Sequence, residues 1–154
     1  QLYRRSMYTF WKRTAPPPSM QIFDAPSREA CSVRRSRTNT PMQALVLMND
    51  EQFVEAARRF GQRMLIEGGE SDRQKLVFGF RTVTSRQPTA KEMVILVNVL
   101  KDFRQRYQEA PEAARQLIHV GESKVDDTLA PGELASWTMI ANLLLNLNET
   151  ITKN

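Results

Sequence analysis

Apolar residues recur at helical spacing along most of the chain. Met42, Leu45, Val46 and Met48 precede a break at Asn49-Asp50, after which Phe53, Val54, Ala57, Phe60 and Met64 resume the pattern. Intervals of three and four residues put such side chains on one face of a helix. The break admits two consecutive helices or one bent helix. Leu76, Val77, Phe80 and Val83 form the next stripe, and Met93, Leu96, Val97, Leu100, Phe103 and Tyr107 form a longer one. Ala114, Leu117 and Ile118 mark a shorter helix. Leu134, Trp137, Ile140, Ala141, Leu144 and Leu147 then supply a stripe broad enough to pack against several partners.

Helix starts are written in the polar residues between these stripes. Thr40-Pro41-Met42-Gln43 combines a capping threonine, a proline suited to the first helical position and a glutamine that can reciprocate. Ser71 with Gln74, and Thr89 with Glu92, predict two more capping boxes, while Pro111 and Pro131 suit two further starts. Gly68-Gly69 and Gly121 are natural stops. Arg81 and Arg86 are expected to solvate the preceding helix and its exit. The expected architecture is all-α: an irregular multihelical bundle over residues 41–154, preceded by an extended basic arm over residues 1–40. In that arm Pro16-Pro17-Pro18 reads as a stiff extended connector.

Charge is unevenly divided. Residues 1–40 carry eight basic and two acidic side chains, so the formal net charge of +5 belongs to the arm. A concentrated positive field favours an acidic partner or anion without identifying it. One cysteine, Cys31, excludes an internal disulfide and a cysteine-rich zinc site, and one histidine, His119, excludes a two-histidine metal centre. The most membrane-like stretch, around Leu143-Leu144-Leu145, is too short and too interrupted by asparagines to span lipid. No signal peptide lies within the chain.

The candidate site is the arm's second half. Arg34, Arg35 and Arg37 can grip paired anionic oxygens, and Thr40 opens a helix whose first amides favour negative charge; the same arginines could instead pair with Asp24, Glu29 or Asp50. Asp24 and Glu29 are weak acid/base candidates, better suited to ion pairs. Cys31 is a nucleophile only if its pKa is depressed, and otherwise a small buried thiol. His119 could serve as a general base but reads more simply as a partly buried or helix-terminal residue, and Asp126-Asp127 as loop or capping residues. Tyr8, Phe10 and Trp11 beside basic residues could stack nucleic-acid bases, but no nucleic-acid motif accompanies them, and packing of the arm is the simpler use. Met42, Met48 and Met64 read as core filling. Asn142 and Asn146 can make a polar seam that could orient another domain or line a pocket, or more simply hydrogen-bond within the fold or at its boundary.

The run Arg4-Arg5-Ser6-Met7-Tyr8-Thr9-Phe10-Trp11-Lys12-Arg13, followed by Ala15-Pro16-Pro17-Pro18, resembles the planctomycete secreted-protein domain family called PSD-one, a C-terminal domain of unknown function. The resemblance continues through Phe23-Asp24-Ala25-Pro26, Arg28-Glu29, Cys31, Arg34-Arg35, Arg37-Thr38-Asn39-Thr40-Pro41, Gln43-Ala44-Leu45 and Asn49-Asp50, and reaches Trp137 and residues 142–149. It implies the C-terminal portion of a larger extracytoplasmic protein, periplasmic or secreted, with companion domains that often include a cytochrome-c-like module. Haem would belong to such a neighbour, because no attachment motif lies here. The resemblance transfers no catalytic residue. The expected role is therefore a helical accessory or interdomain-binding module without an assigned cofactor or metal. The alternative is one part of an enzyme acting on an anionic carbohydrate or other acidic substrate, its site completed upstream. Companion domains and acidic carbohydrate or protein are the expected partners, ahead of nucleic acid.

Overall fold

A computed structural model describes residues 6–12, 14–27, 29, 31–34 and 38–152. A short 3-10 turn at Ser6–Tyr8 is followed by α1 (Pro18–Ile22), α2 (Pro41–Asn49), α3 (Glu51–Glu67), α4 (Asp72–Thr84), α5 (Ala90–Glu109), α6 (Pro111–Ile118), α7 (Pro131–Leu145) and α8 (Asn148–Ile151). The fold is all-α, with no strand among the described residues. The three expected capping boxes all form: Thr40 with Gln43, Ser71 with Gln74, and Thr89 with Glu92. Asp50 settles the choice left by the Asn49-Asp50 break. Its extended backbone ends α2, while its carboxylate accepts from the Gln52 amide and caps α3, giving two consecutive helices.

The core is built around α7, which lies against α2, α3, α4, α5, α6 and α8. Trp137, Ile140, Ala141 and Leu144 pack with Ala57, Phe60 and Met64 of α3, Leu76 and Phe80 of α4, and Met93, Leu96 and Leu100 of α5. Leu134 and Ala135, one turn earlier, meet Tyr107, Ala114 and Ile118. A helix surrounded in this way needs no polar face. Its buried hydroxyls turn inward on their own backbone: Ser136 donates to the Gly132 carbonyl and Thr138 to that of Leu134, each at 2.7 Å. α3 comes close to the α7 backbone at Gly61, where a Cβ would lie 2.8 Å from the Trp137 carbonyl.

Two expectations about the N-terminal half are corrected. The triproline run is an extended connector only as far as Pro17, because Pro18 occupies the first turn of α1, where a missing amide costs nothing. Met42 and Met48 do not fill the core; both are exposed, whereas Met64 is buried as expected. The inward side of α2 is taken by Gln43, the buried residue of that helix. Asn142 and Asn146 donate to the Met48 and Ala44 carbonyls at 3.4 Å each, so the polar seam of α7 grips the backbone of α2.

Candidate interaction site

The arm is tied to the helical body where α1 ends. The Ala25 amide donates to the Met20 carbonyl and the Asp24 amide to that of Gln21, the paired bonds of a Schellman motif. This motif requires a left-handed residue, and Asp24 adopts φ 57°. Asp tolerates that conformation better than most residues because its short side chain can bond locally. The turn directs the Asp24 carboxylate to Thr38, whose amide and hydroxyl donate to Oδ2 at 2.9 and 2.7 Å. Phe23 meanwhile meets Phe53 of α3 edge-on, with ring centroids 6.0 Å apart.

Gln43 completes the clasp. Its side-chain amide donates to the Ile22 carbonyl at 2.8 Å and to the Thr38 hydroxyl at 3.0 Å, while its oxygen accepts from the Thr40 amide at 3.0 Å. Only 2% of Gln43 is exposed, so these bonds replace the water it has lost. One residue therefore caps α2 and closes the base of the loop between Asp24 and Thr38. The sequence signals its capping role; its contact with the Ile22 carbonyl bridges 21 positions and leaves no local trace.

Residues 25–37 join the two tied ends in sequence. They contain four arginines and one glutamate. Glu29, Val33 and Arg34 are exposed, and so is Cys31, which corrects the expectation of a buried thiol. Arg35 and Arg37 lie outside the described residues. Thr40 is engaged in its capping box. Asp24, a weak acid/base candidate in the sequence, holds the two ends of the loop together.

Other charged clusters brace the scaffold. Arg104 of α5 bonds both Asp72 at the start of α4 and Glu133 at the start of α7, and Glu133 also accepts from the Trp137 indole. Two carboxylates at helix N-termini thus converge on one guanidinium, and hydrogen bonding to Arg104 holds the Asp72 carboxyl below its ordinary range. Arg86 does more than solvate a helix exit: it bonds Glu92 of α5 and Glu149 of α8 while lying 4.8 Å from the Phe80 ring centroid.

The pair missed by sequence reading is Glu55 and Arg58 on α3, both buried beside the 121–124 connector. Glu55 accepts from the Glu122 and Ser123 amides at 2.8 and 2.9 Å, and Arg58 donates to the Ser123 carbonyl at 2.8 Å. Gly121, at φ 99°, makes this approach possible; a Cβ there would lie 2.1 Å from the Glu55 carboxylate. The available signal was two charges, Glu55 and Arg58, each directly following an apolar residue of the α3 stripe, Val54 and Ala57. An open cleft of about 460 Å³ beside them is lined by Glu55, Arg59, Phe60, Arg63 and Ser123. The Glu55 carboxylate in its wall is committed to loop amides.

His119 caps α6 and is exposed, in keeping with a helix-terminal role. Asp126 accepts from the Thr128 amide and hydroxyl, and from Gln62, as a loop residue should. Among the described residues no three His, Cys, Asp or Glu side chains cluster as a metal site would require, and no helix is long and apolar enough to cross a membrane. A family model matches residues 1–100, the span that holds the clasp and the arginine loop. The chain belongs to the PSD1 family. That family is described as a protein of unknown function (DUF1553) and assigns no chemistry to the loop. The PSD1 match ends within α5, so Trp137 and residues 142–149, which also carried the resemblance, lie beyond it. No curated protein and no solved structure gives a significant match.

Proposed function

We propose that this PSD1 chain is a helical accessory module of a larger extracytoplasmic protein, whose arginine loop docks on an acidic companion region. The observation that carries the reading is the clasp: Asp24, Thr38 and Gln43 fix both ends of a loop whose described side chains from Ser27 onward face solvent. A fixed base lowers the ordering cost of binding, and the excess of arginines selects acidic surfaces. The extracytoplasmic setting is supported by the resemblance of the arm to secreted proteins. No resident cofactor enters this role.

The test is binding of this chain to the separately produced remainder of its parent polypeptide. The triple variant Arg34→Glu, Arg35→Glu, Arg37→Glu should weaken binding at least tenfold, and raised salt should weaken the wild type in the same direction. Unchanged affinity in the triple variant would overturn the reading. Turnover of an acidic carbohydrate by the parent, lost in Asp24→Asn with the fold intact, would replace it with the enzyme alternative.

A further inference from the structure

The outer face of α5 carries apolar residues between two charges of opposite sign. Met93, Leu96, Leu100 and Tyr107 turn the other side of this helix into the core. Outside, Val94 and Ile95 are 61% and 59% exposed, and Lys91, Asn98 and Asp102 are exposed as well. From Lys91 to Val94 or Ile95, on to Asn98 and then to Asp102, every step is three or four residues, so the five form one stripe. Glu92 and Arg104 of the same helix are paired within the chain, to Arg86 and to Asp72 with Glu133. Among the described residues neither Lys91 nor Asp102 forms an ion pair.

The stripe is symmetric about the point between Leu96 and Val97. Five residues separate that point from Lys91 on one side and from Asp102 on the other, and one residue separates it from Ile95 and from Asn98. We infer that this face of α5 pairs with the same face of a second copy of the chain, antiparallel about a twofold axis at that point, with Lys91 of each copy meeting Asp102 of the other. A twofold interface requires a patch that is complementary to itself, and this one is. A parallel pair would set Lys91 on Lys91 and Asp102 on Asp102, so the charges select the antiparallel arrangement. A partner segment of uniform charge would be attracted at one end of the stripe and repelled at the other. About the axis, the two Ile95 side chains stand about 4.5 Å apart along the helices, as do the two Asn98 amides. The isoleucines cover each other, and an asparagine pair fixes the register of facing helices. Area sets the strength: twenty residues give a face roughly 30 Å long and 10 Å wide, below the ~800 Å² per partner of a standard interface. The pair is therefore weak and reversible, formed at high protein concentration. It uses no residue of the arm and stands apart from the accessory reading.

Sedimentation velocity of charge-exchange variants tests this. The wild-type chain should pass from monomer to dimer as its concentration rises from micromolar to millimolar. Lys91→Asp sets two carboxylates together at each end of the pair, and Asp102→Lys sets two ammonium groups there, so each variant alone should associate at least tenfold more weakly. An equimolar mixture of the two should recover the dimer, because both ends of the mixed pair again join opposite charges. That recovery also separates a lost contact from a lost fold. Ile95→Lys in the wild-type background should abolish association by placing two charges at the axis. A wild-type chain that stays monomeric up to millimolar concentration would overturn the inference. So would a dimer that persists in both charge variants, a mixture no more dimeric than its parts, or association unchanged in Ile95→Lys.

Discussion

α2 and α7 are alike as sequences and opposite as structures. Both are dominated by apolar residues, both begin with proline, and neither presents a clear polar side. Yet α7 lies against six other helices and buries Trp137 completely, whereas α2 touches α1, α3 and α7 and leaves Met42, Leu45 and Met48 in solvent. The difference is in what surrounds each helix, not in its own pattern. The same apolar run becomes a core where neighbours close on all sides and an exposed face where they do not.

The largest effect expected from breaking this comparison is at α7. Trp137→Ala should cost about 3–5 kcal/mol, the usual range for truncating a fully buried aromatic, and chemical denaturation would measure it. Leu45→Gln on α2 should stay within about 0.5 kcal/mol in the isolated chain, as surface substitutions do. A comparable loss at Leu45 would mean that α2 belongs to the core after all.

Next in size is the clasp, where the two helices' environments meet. Gln43→Ala removes the partner of the Ile22 carbonyl, the Thr40 amide and the Thr38 hydroxyl at a buried position. A loss of about 2–3 kcal/mol is expected from the unsatisfied groups. Hydrogen exchange should show the damage concentrated in residues 22–43, with α7 still protected. Uniform loss of protection would show that the loop base and the core unfold as one unit.

Legibility in the sequence followed the range of the physical cause. Helix starts were readable because a capping box spans four residues: Thr40 with Gln43, Ser71 with Gln74 and Thr89 with Glu92 needed no tertiary information. The central place of α7 was readable from the width of its stripe. Exposure of Met42 and Met48 was not, because periodicity reports which side chains share a face and not whether anything covers it. The clasp was half legible: Asp24, Thr38 and Gln43 each lay in a recognisable motif, but their meeting depends on the left-handed turn at Asp24. Glu55 and Arg58 escaped because their partners are backbone groups more than 60 residues away. Arg86 was read as a solvating residue because Glu149 lies equally far along the chain.

The smallest expected effect is electrostatic and sharpens the contrast at the ends of the two helices. Arg86 bridges the Glu92 cap of α5 to Glu149 on α8, and Asn148 of α8 accepts from Asn39 just ahead of α2. Hydrogen bonds from Arg86, joined by those from Thr89, hold the Glu92 carboxyl at about 2 against an ordinary 4.5; Arg86 also lowers Glu149. Because the folded values are the depressed ones, the stabilisation is complete above pH 4.5 and drains away as pH falls towards 2. Glu92→Gln keeps a residue able to complete the capping box but removes the charge, so its melting temperature should fall less steeply than that of the wild type across this window. The ion pairs are solvent-accessible, and salt should shrink the difference further. In wild-type protein at pH 3, amide exchange should quicken first in α8 and the Asn39 end of α2, while α7 stays closed around Trp137. Simultaneous opening of α2 and α7 would show that the latch serves the whole core, and that their contrast is one of exposure alone.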